Sequence, residues 1–142
     1  MVVEYGESGT KLFDLDVTTI YSQCVHVKVI DKSRNQSYWL TMVYGLNKAS
    51  ERDELWQQLG KLRMRISDAW CLRRDFNAIS NLNDRLGGGV ISNADIQPMR
   101  KMIDDGEIDN LKAKGALFTW NNKQEKEHII YSRIDRVLIN EE

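Results

Sequence analysis

The segment AWCLRRDFN at residues 69–77 begins as a short apolar run and ends in polar residues. The run over 69–72 predicts a buried strand. Asp75 and Asn77 flank Phe76, so in an extended segment their side chains point to the same face. An acid and an amide on one face suit Mg²⁺-assisted phosphoryl chemistry, because the carboxylate binds the cation or takes a proton while the amide orients a nucleophile or a phosphate oxygen. Alone, such a pair is more often a turn or a cap than a site.

The sequence before this segment predicts β-strands. In residues 24–31 three valines alternate with polar residues, which is strand periodicity. A polar turn follows, and residues 37–44 are again rich in strand-forming side chains. The two runs therefore predict a hairpin. A further strand is predicted over residues 12–20.

Two amphipathic helices are predicted on either side of residues 69–77. An N-cap signal at 50–53 opens the first, and the second covers 93–104, with Pro98 tolerated near its first turn. Apolar residues at helical spacing mark the inward faces, namely Leu55, Leu59, Leu62 and Ile66 in the first helix and Ile96, Met99, Met102 and Ile103 in the second.

Two final strands are predicted at 117–120 and 129–139, on either side of a polar loop. The complete order is hairpin, helix, strand, helix, hairpin. This order predicts a mixed α/β or α+β fold in which antiparallel strand pairs are prominent.

Composition limits the class of protein. The chain has 142 residues, with 20 Lys and Arg against 21 Asp and Glu and 42% hydrophobic residues, which predicts one domain over residues 1–142 with a real core. The net charge of −1 argues against a generic polyanion binder but leaves room for a local basic groove. Cys24 and Cys71 are too few for a disulfide framework, and neither a signal peptide nor a membrane span is recognisable. We therefore expect an intracellular protein, cytoplasmic or nuclear, that does not enter a membrane.

Several segments, in their order and spacing, resemble the motifs of one superfamily. They are VYG at 43–45, DFNAI at 75–79, DR at 84–85 before a triple glycine, FTWNN at 118–122 and SRIDRVL at 132–138. The combination resembles the endonuclease/exonuclease/phosphatase superfamily, which includes DNase I-like and apurinic-endonuclease-like proteins, and more narrowly the endonuclease domain of plant LINE-type non-LTR retrotransposons. The resemblance covers about residues 6–140 and implies a partial DNase I-like β-sandwich flanked by helices, with mostly antiparallel strands.

The resemblance implies a site that acts on DNA or another phosphodiester. Tyr44 would contact the phosphate, and Asn77 would orient the water nucleophile or bind the phosphate. Asp75 would act on that water and is a candidate ligand for Mg²⁺ or Mn²⁺, while Asp135 would support a catalytic histidine. The candidate substrate-binding residues are Arg73, Arg74, Thr119, Trp120 and Ser132.

The sequence also departs from the family pattern. The family's metal-binding glutamate and its closing Ser-Asp-His have no counterpart, and neither His26 nor His128 stands in a matching context. This pattern predicts the central part of such a domain, truncated at both ends, with weak or absent turnover. Arg73 and Arg74 replace the glycines that usually precede Asp-Phe-Asn, so two cations would crowd the site, pair with Asp75 or contact a phosphate.

Two function classes stay open at this point. One is a retrotransposon-derived, Mg²⁺-dependent endonuclease or phosphodiesterase. The other is a catalytically degenerate domain that binds nucleic acid, a small molecule or a protein through the old cleft; a different, metal-independent reaction is a third and weaker alternative. Strand edges left exposed also predict a homodimer.

Single residues have plainer interpretations as well. Tyr44 is equally typical of a half-buried strand aromatic, and Trp120 of a core or rim residue. Asp135 is as typical of a surface partner for Arg133 or Arg136.

Overall fold

The computed structural model describes residues 9–111 and 117–142, so the start of the resemblance at residues 6–8 lies outside it. Its helices are α1 (Asp53–Arg63) and α2 (Asn93–Gly106), with 3₁₀ turns at Ala49–Arg52 and Leu82–Asp84. Its strands are β1 (Phe13–Ile20), β2 (Cys24–Asp31), β3 (Gln36–Tyr44), β4 (Trp70–Asp75), β5 (Arg85–Leu86), β6 (Asp109–Asn110), β7 (Trp120–Asn121), β8 (Tyr131–Ser132) and β9 (Asp135–Ile139).

The strands form a six-stranded sheet in the order β1-β2-β3-β4-β9-β6 and a three-stranded sheet in the order β5-β8-β7. Only the β3–β4 pair is parallel among the pairs described, and α1 lies in the connection between those two strands. All the other described pairs are antiparallel. The predicted mixed α/β fold with mostly antiparallel strands is confirmed.

The predicted hairpin and the strand before it are present. β2 and β3 pair in continuous register from Cys24 opposite Val43 to Asp31 opposite Gln36. The polar turn between them is closed by the Asp31 carboxylate, which accepts hydrogen bonds from the backbone N–H groups of Ser33 and Arg34. Such a local acceptor stabilises a turn without any help from the rest of the fold.

The core lies between one face of the larger sheet and the two helices. The predicted stripe of α1 is confirmed, because Leu55, Leu59 and Leu62 are all buried against strand residues such as Leu72. α1 ends at Arg63, so Ile66 is buried after the helix rather than within it.

α2 is slightly longer than predicted. It ends at Gly106 and buries Met99 and Ile103, while Ile96 and Met102 are partly buried. Pro98 lies in the second turn rather than near the first. None of the helices in residues 9–111 and 117–142 is long and apolar enough to cross a membrane.

The prediction of one strand over 129–139 was wrong. β8 and β9 belong to different sheets, because the two residues between them bond to other loops. Arg133 N–H donates to the Asp84 carbonyl at 2.8 Å, and the Ile134 carbonyl accepts from Phe76 N–H at 2.9 Å. The predicted strand at 117–120 is likewise shorter than expected, and residues 112–116 before it lie outside the described part of the chain.

Candidate active site

Three of the predicted catalytic residues meet where three neighbouring strands end or begin. Tyr44 is the last residue of β3, Asp75 the last of β4 and Asp135 the first of β9. Tyr44 is the register partner of Asp75, and Asp75 is the register partner of Asp135. Because register partners project from the same face of a sheet, the three side chains form one row across the ends of these strands. We call Tyr44, Asp75, Asn77 and Asp135 the Asp75 corner.

Asn77 joins this row through a turn, so the sequence-based reason for its placement was wrong. The chain is not extended after Asp75: Asn77 has φ +50°, and its N–H donates to Asp75 Oδ1 at 2.8 Å. Asn77 Nδ2 donates to Asn47 Oδ1 at 2.5 Å and to the Gly45 carbonyl at 3.3 Å. Asparagine tolerates this left-handed conformation better than most residues. The turn leaves Asn77 Oδ1 without a hydrogen bond among the described residues.

The Asp75 carboxyl lies in an environment that disfavours its charge. Partial burial raises the pKa of Asp75, and the nearby Asp135 carboxylate raises it further. The hydrogen bond from Asn77 N–H and the charge of Arg52 act in the opposite direction on this pKa but do not cancel the effect. A cation bound here would stabilise the charged form of the Asp75 carboxyl, which burial and the second acid disfavour.

Gly45 lets the end of β3 approach this corner closely. Its N–H donates to the Asp75 carbonyl at 2.8 Å. A Cβ atom at position 45 would lie 2.3 Å from the Phe76 carbonyl oxygen, which no side chain can tolerate. Phe76 itself is fully buried and anchors the turn between Asp75 and Asn77.

Arg73 and Arg74 are exposed, and neither forms an ion pair with Asp75 among the described residues. The charge of Arg73 acts on the pKa values of Tyr38 and Cys71. Arg74 has φ +97°, a conformation that side chains rarely adopt. The backbone here thus has a conformation suited to glycine although the residue is arginine.

Thr119 stabilises the part of the corner that carries Asp135 through hydrogen bonds to backbone N–H groups. Its Oγ1 accepts hydrogen bonds from the N–H groups of Ile134 and Asp135, both at 3.1 Å. Its own N–H donates to the Ser132 carbonyl at 3.0 Å. Thr119 therefore fixes the start of β9, which carries Asp135.

A cleft of about 250 Å³ opens beside the corner. Among the predicted residues, Asn77, Trp120 and Ser132 line it, and Trp120 is 45% exposed at its rim. Arg52 and Arg85 also line the cleft, although the sequence pattern did not single them out as site residues. Arg52 belongs to a polar helix start, where a solvated side chain is the ordinary expectation.

A buried ion pair supports the far side of this region. Asp84 accepts hydrogen bonds from Ser80 N–H at 2.7 Å, Asn81 N–H at 3.1 Å and Arg136 Nη2 at 2.5 Å. The side chains of Asp84 and Arg136 are 3% and 0% exposed. Arg136 is therefore committed to Asp84, and the alternative in which it partners Asp135 finds no support in the described ion pairs. We call Ser80, Asn81, Asp84 and Arg136 the Asp84 turn.

The corner fits a divalent cation only in part. Among residues 9–111 and 117–142, no three His, Cys, Asp or Glu side chains converge. The paired carboxylates of Asp75 and Asp135 are hard oxygen donors, and Mg²⁺ commonly binds one or two carboxylates while keeping water and substrate phosphate as its other ligands. His26 belongs to the core instead: it stacks on Trp39, and burial followed by the charge of Lys28 lowers its pKa to about 4.

Neither a family model nor a curated protein matches this sequence. Solved structures that are similar in fold include two catalytic domains. One is the endonuclease domain of TRAS1, a telomere-specific non-LTR retrotransposon, with a TM-score of 0.65 and 18% identity over 98% of this chain and 65% of that one. This chain has part of a DNase I-like fold. The human Nocturnin catalytic domain, with bound sulfate anion, has a TM-score of 0.53 and 10% identity over 91% of this chain and 48% of that one. The chain thus spans less than two thirds of the length of either.

Proposed function

We propose that this chain is a retrotransposon-derived nuclease or phosphodiesterase domain that uses the Asp75 corner with Mg²⁺ or Mn²⁺. One observation carries the proposal, namely the row of Tyr44, Asp75 and Asp135 across three adjacent strands. An endonuclease domain and a catalytic domain with a bound anion share the fold, which supports phosphodiester chemistry for it. The substrate in this proposal is DNA or another phosphodiester.

Each residue of the corner has a distinct task in this proposal. Asp75 and Asp135 would hold the cation, which would supply positive charge to the phosphate oxygens. Asp75 would also accept a hydrogen bond from the attacking water and orient it toward the phosphate.

Tyr44 and Asn77 complete the proposed site. Tyr44 is 52% exposed, so its hydroxyl can donate to a phosphate oxygen. Asn77 binds Asn47 and Gly45 through Nδ2, which leaves Oδ1 to orient the attacking water. With no third acid or imidazole converging among the described residues, we expect slow turnover.

Nicking of supercoiled plasmid tests the proposal. We expect wild type to convert supercoiled to open-circular DNA in Mg²⁺ and to lose this activity in EDTA. Asp75→Ala should lose it too, while Asp109→Ala, which removes an exposed carboxylate from β6, should retain it. Equal nicking by wild type and Asp75→Ala would show a contaminant and contradict the assignment. No nicking by a folded wild type would contradict cleavage.

A second candidate function is binding without cleavage. Two arginines in the cleft favour it, because they attract a phosphate whether or not the corner retains catalysis. Salt-sensitive DNA binding by a chain that never nicks plasmid would support this function.

Two expectations stay predictions. β1 is the long outer strand of the larger sheet, where a second copy could pair, but Asp14, Asp16 and a register shift between Val17 and Thr19 weaken such an edge. A monomeric mass by light scattering would contradict the homodimer. An intracellular location, cytoplasmic or nuclear, is the other expectation.

A further inference from the structure

Arg52 enters the cleft from the 3₁₀ turn before α1, with part of its hydrogen-bonding capacity unused. Its Nη1 donates to the carbonyls of Leu46 at 2.8 Å and Asn47 at 2.7 Å. These bonds fix the side chain beside the corner, where the charge of Asp75 acts on it. Its Nε and Nη2 donate to no described residue, although a guanidinium carries five donors.

Arg85 enters the same cleft from β5. It is the register partner of Ser132, which also lines the cleft. Its Nε is buried and has no hydrogen-bond partner among the described residues. This Nε atom is closed to the cleft, but the Nη groups of Arg85 are not, and they form no hydrogen bond or ion pair among the described residues. The Nη groups are therefore the donors that a ligand in the cleft can reach.

The acids around the cleft leave both arginines available. Asp95 is close enough for the charge of Arg85 to lower its pKa, but its carboxylate accepts from Ser92 N–H at 2.8 Å and Ser92 Oγ at 3.0 Å and forms no ion pair with Arg85 among the described residues. Asp75 and Asp53 are the acids that act on Arg52, and Asp75 belongs to the corner itself.

We propose that Arg52 and Arg85 form a phosphate subsite for a nucleic-acid strand, which holds the phosphodiester next to the one at the Asp75 corner. A guanidinium donates two parallel hydrogen bonds to one phosphate, and two such groups fix both the position and the direction of a strand. The inference rests on the proposed function in one respect, since the strand is the substrate proposed for the corner.

The salt dependence of binding tests the subsite. A labelled single-stranded DNA oligonucleotide is titrated in EDTA at several salt concentrations, and affinity is followed by fluorescence anisotropy. Each lost phosphate contact should reduce the slope of log affinity against log salt by about 0.7. We expect that loss in Arg52→Met and in Arg85→Met, and twice that loss in the double variant.

Two controls separate charge from structure. Arg52→Lys keeps the charge, so it should keep the slope, but it loses the paired donors of the guanidinium and should weaken affinity at every salt concentration. Arg65→Met removes an exposed arginine just beyond the far end of α1, an 11-residue helix that spans roughly 16 Å, and should also keep the wild-type slope. Circular dichroism confirms that each variant is folded.

The outcomes distinguish this subsite from the proposed function. Wild-type slopes in Arg52→Met and Arg85→Met would overturn the subsite, even if plasmid nicking succeeds. Reduced slopes without nicking would support the subsite and contradict cleavage. Inorganic phosphate is titrated in parallel by thermal shift at constant ionic strength. Stabilisation by phosphate that both arginine variants lose, with unchanged oligonucleotide slopes, would overturn the strand in favour of a free phosphate.

Discussion

The Asp75 corner and the Asp84 turn each centre on an aspartate, but their surroundings have opposite effects. Asp84 is buried, and hydrogen bonds from Ser80 N–H and the charge of Arg136 outweigh burial and lower its pKa. Asp75 is half-buried, and burial together with Asp135 raises its pKa. One carboxylate has its partners within the fold. The other forms no ion pair among the described residues, and this difference distinguishes a structural carboxylate from a candidate site.

The backbone shows the same contrast. Arg74 and Asn77 have φ values of +97° and +50° and flank Asp75 on either side. Among the described residues, positions 78–86 around Asp84 contain no positive φ. Strained conformations of this kind persist where the surrounding structure enforces them, and they cluster at functional sites.

The largest expected effect is on the Asp84 turn. Asp84→Ala leaves the buried guanidinium of Arg136 without its carboxylate and should lower the free energy of unfolding by about 3–5 kcal/mol. Urea denaturation near neutral pH measures the loss. Because the folded-state pKa of Asp84 is lowered, its contribution is present above the unfolded-state pKa and disappears as pH falls through the folded-state pKa. A loss below about 1 kcal/mol would contradict the structural role.

A smaller effect is expected at Arg74. Arg74→Gly removes the strain of a side chain at φ +97° and should raise the free energy of unfolding by about 1 kcal/mol. Arg73→Gly is the matched control, since Arg73 is not among the positive-φ residues and glycine there adds only chain entropy to the unfolded state. Thermal unfolding of both variants measures the difference. Equal destabilisation by the two glycines would show that Arg74 is unstrained.

The smallest expected effect is at Asp75. Asp75→Asn should raise the free energy of unfolding near neutral pH by less than about 1 kcal/mol, because it removes a charge that the fold disfavours. A raised folded-state pKa means that wild type loses stability as pH rises from the unfolded-state pKa through the folded-state pKa, so the gain should disappear in acid. Urea denaturation at acidic and neutral pH measures it. A variant less stable than wild type at neutral pH would place Asp75 with Asp84 as a structural carboxylate.

The sequence predicted elements that depend on local pattern. Alternating valines located β2, and the leucine stripe located α1, because each element buries one face whatever its neighbours are. The order of motifs predicted that Tyr44, Asp75 and Asp135 share a site, and the sheet register brings these three together.

The structural features that the sequence did not predict depend on contacts between residues far apart in the chain. The break between β8 and β9 depends on two hydrogen bonds to residues distant in sequence. Arg133 N–H donates to the Asp84 carbonyl, and Phe76 N–H donates to the Ile134 carbonyl. Arg52 lies beside Asp75 because α1, which follows it, packs against β3 and β4 and because its Nη1 donates to the carbonyls of Leu46 and Asn47. The glycine-like backbone at Arg74 contradicts the preference of its own residue type.

We conclude that the Asp75 corner is open to a ligand, whereas the Asp84 carboxylate has its partners within the fold. Carbon NMR of the side-chain carboxyl groups, titrated with pH in the absence and presence of Mg²⁺, tests it directly. We expect Asp75 to titrate above the ordinary aspartate pKa and Asp84 below it, and we expect Mg²⁺ to lower the Asp75 midpoint but to leave that of Asp84 unchanged. An Asp75 midpoint that lies at or below the ordinary value and does not move with Mg²⁺ would show that the corner is not a cation site.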